Sequence, residues 1–280
     1  MKLNIDDKQR FGVEIEYLNV HSDVIEESVI KNLKIYNWHY ERDFSLEHIN
    51  GTSYAGELIS PILTNNEKDL EQIEEACTVL KKLGAYTDEQ CAAHVHLDSA
   101  ILEENGEYFQ NFLILYLYYE NVIYEFAAGY DLKIRDCAID FAARLLPEMT
   151  YGQLNKLIKP DFTYNDFLKN FVYGEGRNKG VNFRNLLQGE INTIEFRMAN
   201  GTLNPTIWFN NITVFARLLE LAKQMTPAHK LHLYKKVLAQ RKELINYYFY
   251  NEEKEYEFLT FISNDKEDRK RFIKQYKKGF

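Results

Sequence analysis

Two glutamates one residue apart, Glu14 and Glu16 in Phe11-Gly-Val-Glu-Ile-Glu-Tyr17, interrupt an otherwise apolar run of the β type. In an extended strand alternate residues share a face at about 6.5–7 Å spacing. Both carboxylates therefore point one way, while Val13, Ile15 and Tyr17 pack the other. Neighbouring anions repel each other and resist desolvation unless cations lie between them. Hard divalent ions such as Mg²⁺ or Mn²⁺ suit that role. A strand with one solvated face is the plainer reading of this segment alone.

The same alternation recurs further along. Ala92-Ala-His-Val-His-Leu-Asp98 carries His94 and His96 on one face, a pattern that ligates metals when neutral and pairs with anions when protonated. Ala55-Gly-Glu-Leu-Ile-Ser-Pro61 sets Glu57 in an apolar strand that Pro61 should end. Thr193-Ile-Glu-Phe-Arg-Met198 places Glu195 and Arg197 together. They form either an internal salt bridge or a metal-binding carboxylate beside a guanidinium for a phosphoryl group. Val181-Asn-Phe-Arg-Asn-Leu-Leu187 carries Asn182 and Arg184 on one face, and Gly174-Glu-Gly-Arg-Asn-Lys-Gly180 is either a plain surface turn or a basic loop offering Arg177 and Lys179 for phosphate contact. No Walker loop and no dinucleotide fingerprint is present. Nucleotide binding would thus rest on metals and basic side chains. His21, His39, His48, His229 and His232 have no comparable context and read as surface or structural.

These residues need strands to carry them. β-Branched and aromatic enrichment predicts strands at about 10–18, 37–44, 54–62, 90–98, 180–188 and 192–199. Helices are predicted at about 22–35, 66–83, 106–128, 135–145, 150–159 and 163–171. Asn66 is a candidate N-cap, and Gly84 and Gly129 are candidate stops. Beyond Asn204-Pro205, a helix start, the pattern is helical at 205–225, 228–249 and 252–278. The expected architecture is α+β, a sheet of about six strands with helices on one face and a C-terminal helical cap. One domain should span 1–280, with its core at about 10–205.

Composition narrows the function. The 280 residues are 45% hydrophobic and 27% charged, an ordinary soluble globular balance. A net charge of −8 argues against a nucleic-acid surface spread over the whole protein. Three dispersed cysteines, Cys77, Cys91 and Cys137, suggest a reducing cytoplasm rather than a disulfide framework. The N-terminus lacks a signal-peptide core, and the apolar run Phe112–Tyr119 is too short to span a bilayer.

In order, Gly12-Val-Glu-Ile-Glu16, Asp43-Phe-Ser45, Glu57-Leu-Ile-Ser-Pro61, His94-Val-His96, Val181-Asn-Phe183 and Thr193-Ile-Glu-Phe-Arg197 with Gly201-Thr-Leu-Asn204 resemble the amidoligase family. That family sits in the glutamine synthetase and glutamate–cysteine ligase superfamily. The resemblance implies a curved antiparallel sheet like the glutamine synthetase catalytic domain, whose concave face binds ATP and metal. It implies an ATP-dependent carbon–nitrogen ligase in which a substrate carboxylate takes the γ-phosphate and an amine displaces it. Carried over, Glu14, Glu16, Glu57 and Glu195, with His94 or His96, would hold two or three Mg²⁺ or Mn²⁺ ions. Arg197 and Arg184 would stabilise the transferring phosphoryl group. Asp43 and Ser45 would line the amine or metal side, and Arg177, Lys179, Asn182 and His96 would contact the nucleotide. Phe44 stands where the family pattern has glycine. The partners expected are a small-molecule or peptide acid and an amine, without nucleic acid or membrane. The competing readings are a zinc hydrolase built on His94, His96 and Glu14 or Glu16, a guanidino-kinase-like phosphotransferase, and a non-catalytic relative.

Overall fold

The alternation of Phe11–Tyr17 becomes the centre of a sheet in a computed structural model that describes residues 2–30, 37–129, 138–174, 176–187, 192–243 and 252–277. Along the first half run β1 (Arg10–Leu18), α1 (Ser22–Ile25), β2 (His39–Glu41), β3 (Ala55–Ile59), β4 (Leu63–Thr64), α2 (Glu67–Lys82), β5 (Ala92–Asp98) and α3 (Gly106–Ala127). There follow α4 (Ala138–Phe141), α5 (Tyr151–Lys156), α6 (Tyr164–Phe171), β6 (Val181–Asn182), β7 (Thr193–Asn200), α7 (Pro205–Gln224) and α8 (Pro227–Lys242). The chain's last described helices are α9 (Glu252–Ile262) and α10 (Lys266–Tyr276). The result is α+β, with an antiparallel seven-stranded sheet in the order β2-β3-β1-β5-β7-β6 and β4 beside the start of β1.

Register decides which side chains meet. Glu14 lies opposite His94, Gly12 opposite His96, Glu16 opposite Glu57, and His96 opposite Glu195. A strand shifted by one residue would send its polar set into the core. The apolar set prevents this, because Val13, Ile15, Val95, Leu97, Ile194 and Phe196 are all essentially inaccessible. They pack beneath α3 and α7, where Phe196 stacks on Phe215 with centroids 4.4 Å apart and meets Phe112 edge-on at 6.1 Å. Such aromatic pairs contribute about 0.5–1.5 kcal/mol beyond burial.

The caps follow the sequence. The Asn66, Asn105 and Asn204 side chains accept from the first turns of α2, α3 and α7, each satisfying donors that no helical carbonyl can reach. Gly84 and Gly129 take positive φ just past α2 and α3, the left-handed stop that glycine adopts without strain.

Several predicted elements are shorter than expected, and side-chain turns explain two of them. The strand expected at 37–44 ends at Glu41, because Asp43 Oδ1 accepts from both Ser45 N and Ser45 Oγ and closes a turn. The strand expected at 180–188 stops after Asn182. Asn182 Oδ1 accepts from Arg184 N and opens a 3-10 turn over Arg184–Leu187. Arg184 is therefore not on a strand beside Asn182. The helix expected at 22–35 is α1 running into a π turn at Glu26–Ile30, with 31–36 outside the described residues. The helix expected at 135–145 is reduced to α4, with 135–137 outside them. The 252–278 helix divides at Ser263–Asp265, where Asp265 caps α10, and 244–249 of the preceding prediction also lies outside. No described helix is long and apolar enough to cross a membrane.

Phe196 lies between Glu195 and Arg197, so its packing fixes both. Phe196→Ala should destabilise the protein by about 3–5 kcal/mol and Phe196→Leu by no more than about 1.5. Urea unfolding followed by far-UV circular dichroism measures both; equal costs would show that the ring stack does not position this strand.

Candidate active site

The polar face of β1, β3, β5 and β7 gathers carboxylates and imidazoles into one cluster. Glu14 is at its centre: its Oε2 lies 2.7 Å from His94 Nδ1 and its Oε1 2.8 Å from His96 Nε2. His94 Nε2 is 3.6 Å from Glu16 Oε1, and His94 Nδ1 is 3.8 Å from Glu195 Oε1. Glu16, His94 and Glu195 are each only 4% exposed, so these charges answer mainly to one another rather than to water.

Neighbouring groups hold each carboxylate in place. Glu16 accepts from the backbone N–H of Ala92. Glu195 accepts from Asn182 Nδ2 at 2.6 Å through one oxygen and ion-pairs with Arg197 through the other. Arg197 Nε donates to the carbonyl of Phe141 at 3.4 Å, which ties the guanidinium to the segment after α3. Both alternatives for Glu-x-Arg are thus present in one object: a salt bridge that also borders the cluster.

Charge crowding shows in the proton affinities. Burial and then the carboxylates of Glu14, Glu16, Asp43 and Glu41 push Glu57 up to about 9. Burial also opposes ionisation of Glu14, but hydrogen bonds and attraction from His94 and His96 outweigh it and hold its carboxyl far below the usual range. Glu195 is likewise lowered, because His94, His96 and Arg197 together overcome its burial. Burial disfavours the His96 cation, yet Glu14 and Glu195 raise its proton affinity. The anions recruit protons wherever no other cation is supplied.

Ligand geometry matches that demand. Three sets of donor atoms, each lying within 4.8 Å of one another, occur among the described residues: Glu14–His96–Glu195, Glu14–Glu57–His94 and Glu16–Asp43–Glu57. They share Glu14 and Glu57, so they form adjoining positions rather than separate sites. Carboxylates outnumber imidazoles and no thiolate takes part, a donor set for Mg²⁺ or Mn²⁺ more than for zinc. The residues therefore fit divalent ions.

A cleft of about 300 Å³ opens beside Glu14 and His96, walled by Phe11, Ile59, Pro61 and Ile62 and rimmed by His39 and the Arg10–Asp98 ion pair. Gly12 lies in its wall. A Cβ built there would meet only Ser60 Oγ at 3.5 Å, His96 Cβ at 3.9 Å and Pro61 O at 4.0 Å, and no positive φ requires glycine. Its missing side chain is room in the cleft.

The remaining residues divide. Asn182 is buried; its amide donates to Glu195 and its carbonyl accepts from the Arg184 backbone, so it orients a cluster carboxylate. Lys179 pairs with Glu148, and Arg177 is solvent-exposed. Arg184 is exposed and lines a different cavity together with Lys179. None of these three joins the cluster around Glu14. Ser45 is exposed and serves the Asp43 turn, and Phe44 beside it is 73% exposed without a left-handed backbone. His39, read as surface or structural, is exposed at the cleft's rim, and Arg10 and Asp98 escaped the sequence reading. Only the pairing of His39 with Ile59 across β2 and β3 brings the first to the cleft.

Glu57 generates a test on the metal-free protein. Its folded proton affinity exceeds the unfolded one, so folding is penalised increasingly as pH rises from about 4.5 towards 9. Glu57→Gln should raise stability at pH 8 by roughly 1–2 kcal/mol after solvent screening, with the gain vanishing near pH 4.5. With saturating Mn²⁺ the order should reverse, since only the wild type gains a full ligand set. Thermal melts across pH, with chelator and with Mn²⁺, decide it; a variant destabilised at pH 8 in chelator overturns the crowding.

No curated protein matches the chain. The family described as putative amidoligase enzyme matches residues 7–219, which include every strand of the sheet and the whole cluster. The chain belongs to that family.

Proposed function

We propose that this protein is an ATP- and divalent-metal-dependent carboxylate–amine ligase that forms an amide through an acyl phosphate on an amino-acid or peptide substrate. The observation that carries this reading is the convergence of Glu14, Glu57, His94, His96, Glu195 and Arg197 on one sheet face in a member of an amidoligase family. A zinc hydrolase would use the imidazoles, but it has no need for so many carboxylates or for Arg197 among them.

The chemistry follows from charge. An oxygen of the substrate carboxylate attacks the γ-phosphorus, the bond to the ADP oxygen breaks, and an acyl phosphate and ADP result. The amine nitrogen then adds to the acyl carbon, loses a proton and expels inorganic phosphate. Divalent ions held by Glu14, Glu16, Glu57, Asp43, Glu195 and the imidazoles would neutralise the polyphosphate. Arg197, anchored by Glu195 and the Phe141 carbonyl, supplies positive charge beside the transferring group. Asn182 keeps Glu195 turned toward the cluster. In this reading the cleft at Gly12 takes the nucleoside, with Glu14 and His96 at its border with the cluster.

Calorimetric titration of a non-hydrolysable ATP analogue, with and without Mn²⁺, tests the reading first. Binding should require the ion and should fall at least tenfold in Glu14→Gln. Gly12→Val should weaken nucleotide binding at least tenfold while Mn²⁺ still binds alone. Arg197→Ala should lower turnover by about 10²–10³ with little change in nucleotide affinity. Metal-independent nucleotide binding, or a phosphorylated acid that never becomes an amide, would exclude the ligase.

A further inference from the structure

A second cavity lies at the far edge of the sheet, apart from the cleft at Gly12. It is about 90 Å³, set between the edge strand β6 and helices α3, α5 and α6. Its walls are Leu113, Leu145, Met149, Phe171, Val172 and Val181. It is smaller than the roughly 150 Å³ that accepts a benzene ring. It suits one branched aliphatic side chain, not a whole ligand.

Its mouth is polar and unequal in charge. Lys179 and Arg184 stand there with Glu148, and Lys179 is paired with Glu148. The Arg184 guanidinium has no hydrogen-bond or ion-pair partner among the described residues, whereas its backbone is fixed by Asn182. One net positive charge therefore faces the opening, on a fork that matches a carboxylate. Asn182 belongs to both places: it lines this cavity and holds Glu195. The cavity is thus one residue away from the reactive cluster, at the end opposite β2.

We propose that this cavity is the specificity pocket for a substrate that carries an aliphatic side chain next to a carboxylate, the side chain filling the cavity and that carboxylate resting on Arg184 as an anchor, distinct from the group that reacts at the cluster. The inference rests on the ligase reading for its place in a reaction, but recognition itself does not. Two sources share this chemistry, a free branched amino acid and the C-terminal residue of a peptide. The nucleotide enters at the Gly12 cleft, so the two ligands reach the cluster from separate sides.

The probes are L-leucine, glycyl-L-leucine, glycyl-L-leucinamide and glycyl-L-lysine, titrated calorimetrically into the full chain with Mn²⁺. Glycyl-L-leucine should bind saturably and at least tenfold tighter than its amide or the lysine peptide. Stronger binding of L-leucine would assign the free amino acid; stronger binding of the dipeptide would assign a peptide terminus. Arg184→Gln, an exposed change that spares the fold, should remove the preference for carboxylate over amide. Met149→Phe, which fills the cavity, should remove the preference for leucine over lysine. No binding of either leucine compound, or unchanged preferences in Arg184→Gln, overturns the pocket. Nucleotide binding with Mn²⁺ read in the same samples separates the two ideas. Nucleotide binding without leucine binding discards the pocket and keeps the ligase; leucine binding without nucleotide binding keeps the pocket and discards the ligase.

Discussion

Mutual repulsion among buried carboxylates is the constraint that the rest of this protein answers. On one sheet face Glu16 and Glu195 are buried and Glu14 and Glu57 half-buried. At an effective dielectric of about 20, two unit charges 4 Å apart interact by about 4 kcal/mol, which is comparable to a large part of a domain's net stability. The fold meets that cost with His94, His96 and Arg197, and with the proton that Glu57 retains up to about 9. A site relaxed by its own cations would have no call on others. This one remains short of positive charge at Glu57, the position farthest from Arg197 in the register.

Holding such a cluster requires that the strands cannot slide. The sheet has an uneven division of labour. Apolar alternates in β1, β5 and β7 are sealed by α3 and α7, and the aromatic contacts of Phe112, Phe196 and Phe215 lock β7 against those helices. The edge strands β2 and β6 are two or three residues long. Each ends in a side-chain turn, made by Asp43 in one case and Asn182 in the other. Rigidity is concentrated where charges meet, and irregular backbone borders the openings.

The central strands were legible in the sequence because period-two alternation is a local signal. Glu14 with Glu16, His94 with His96, and Glu195 with Arg197 each announce a shared face without knowledge of any neighbour. Helix starts at Asn66 and Asn204 were local too. Edge-strand lengths were not, because an Asx turn at Asp43 or Asn182 competes with strand pairing on nearly equal terms. The family resemblance read from the site motifs agrees with the match over residues 7–219. His39 was set aside because nothing near it in the chain hints at Ile59 across the pairing, nor at the cleft that both border.

Asn182 shows what residue type and position alone do not convey. An asparagine beside a basic loop and two residues before an arginine reads as a ligand contact. In the fold its amide donates to Glu195 and its carbonyl accepts from the Arg184 backbone. Its contribution is geometric. By turning one Glu195 oxygen away, it leaves the other facing His94, His96 and Arg197. The same hydrogen bonds stop β6 and start the turn that sets Arg184 at a separate opening. One short side chain thus divides the positive charge of this edge into two stations: Arg197 stands beside the carboxylates, and Arg184 stands outside them, where a second ligand can be met.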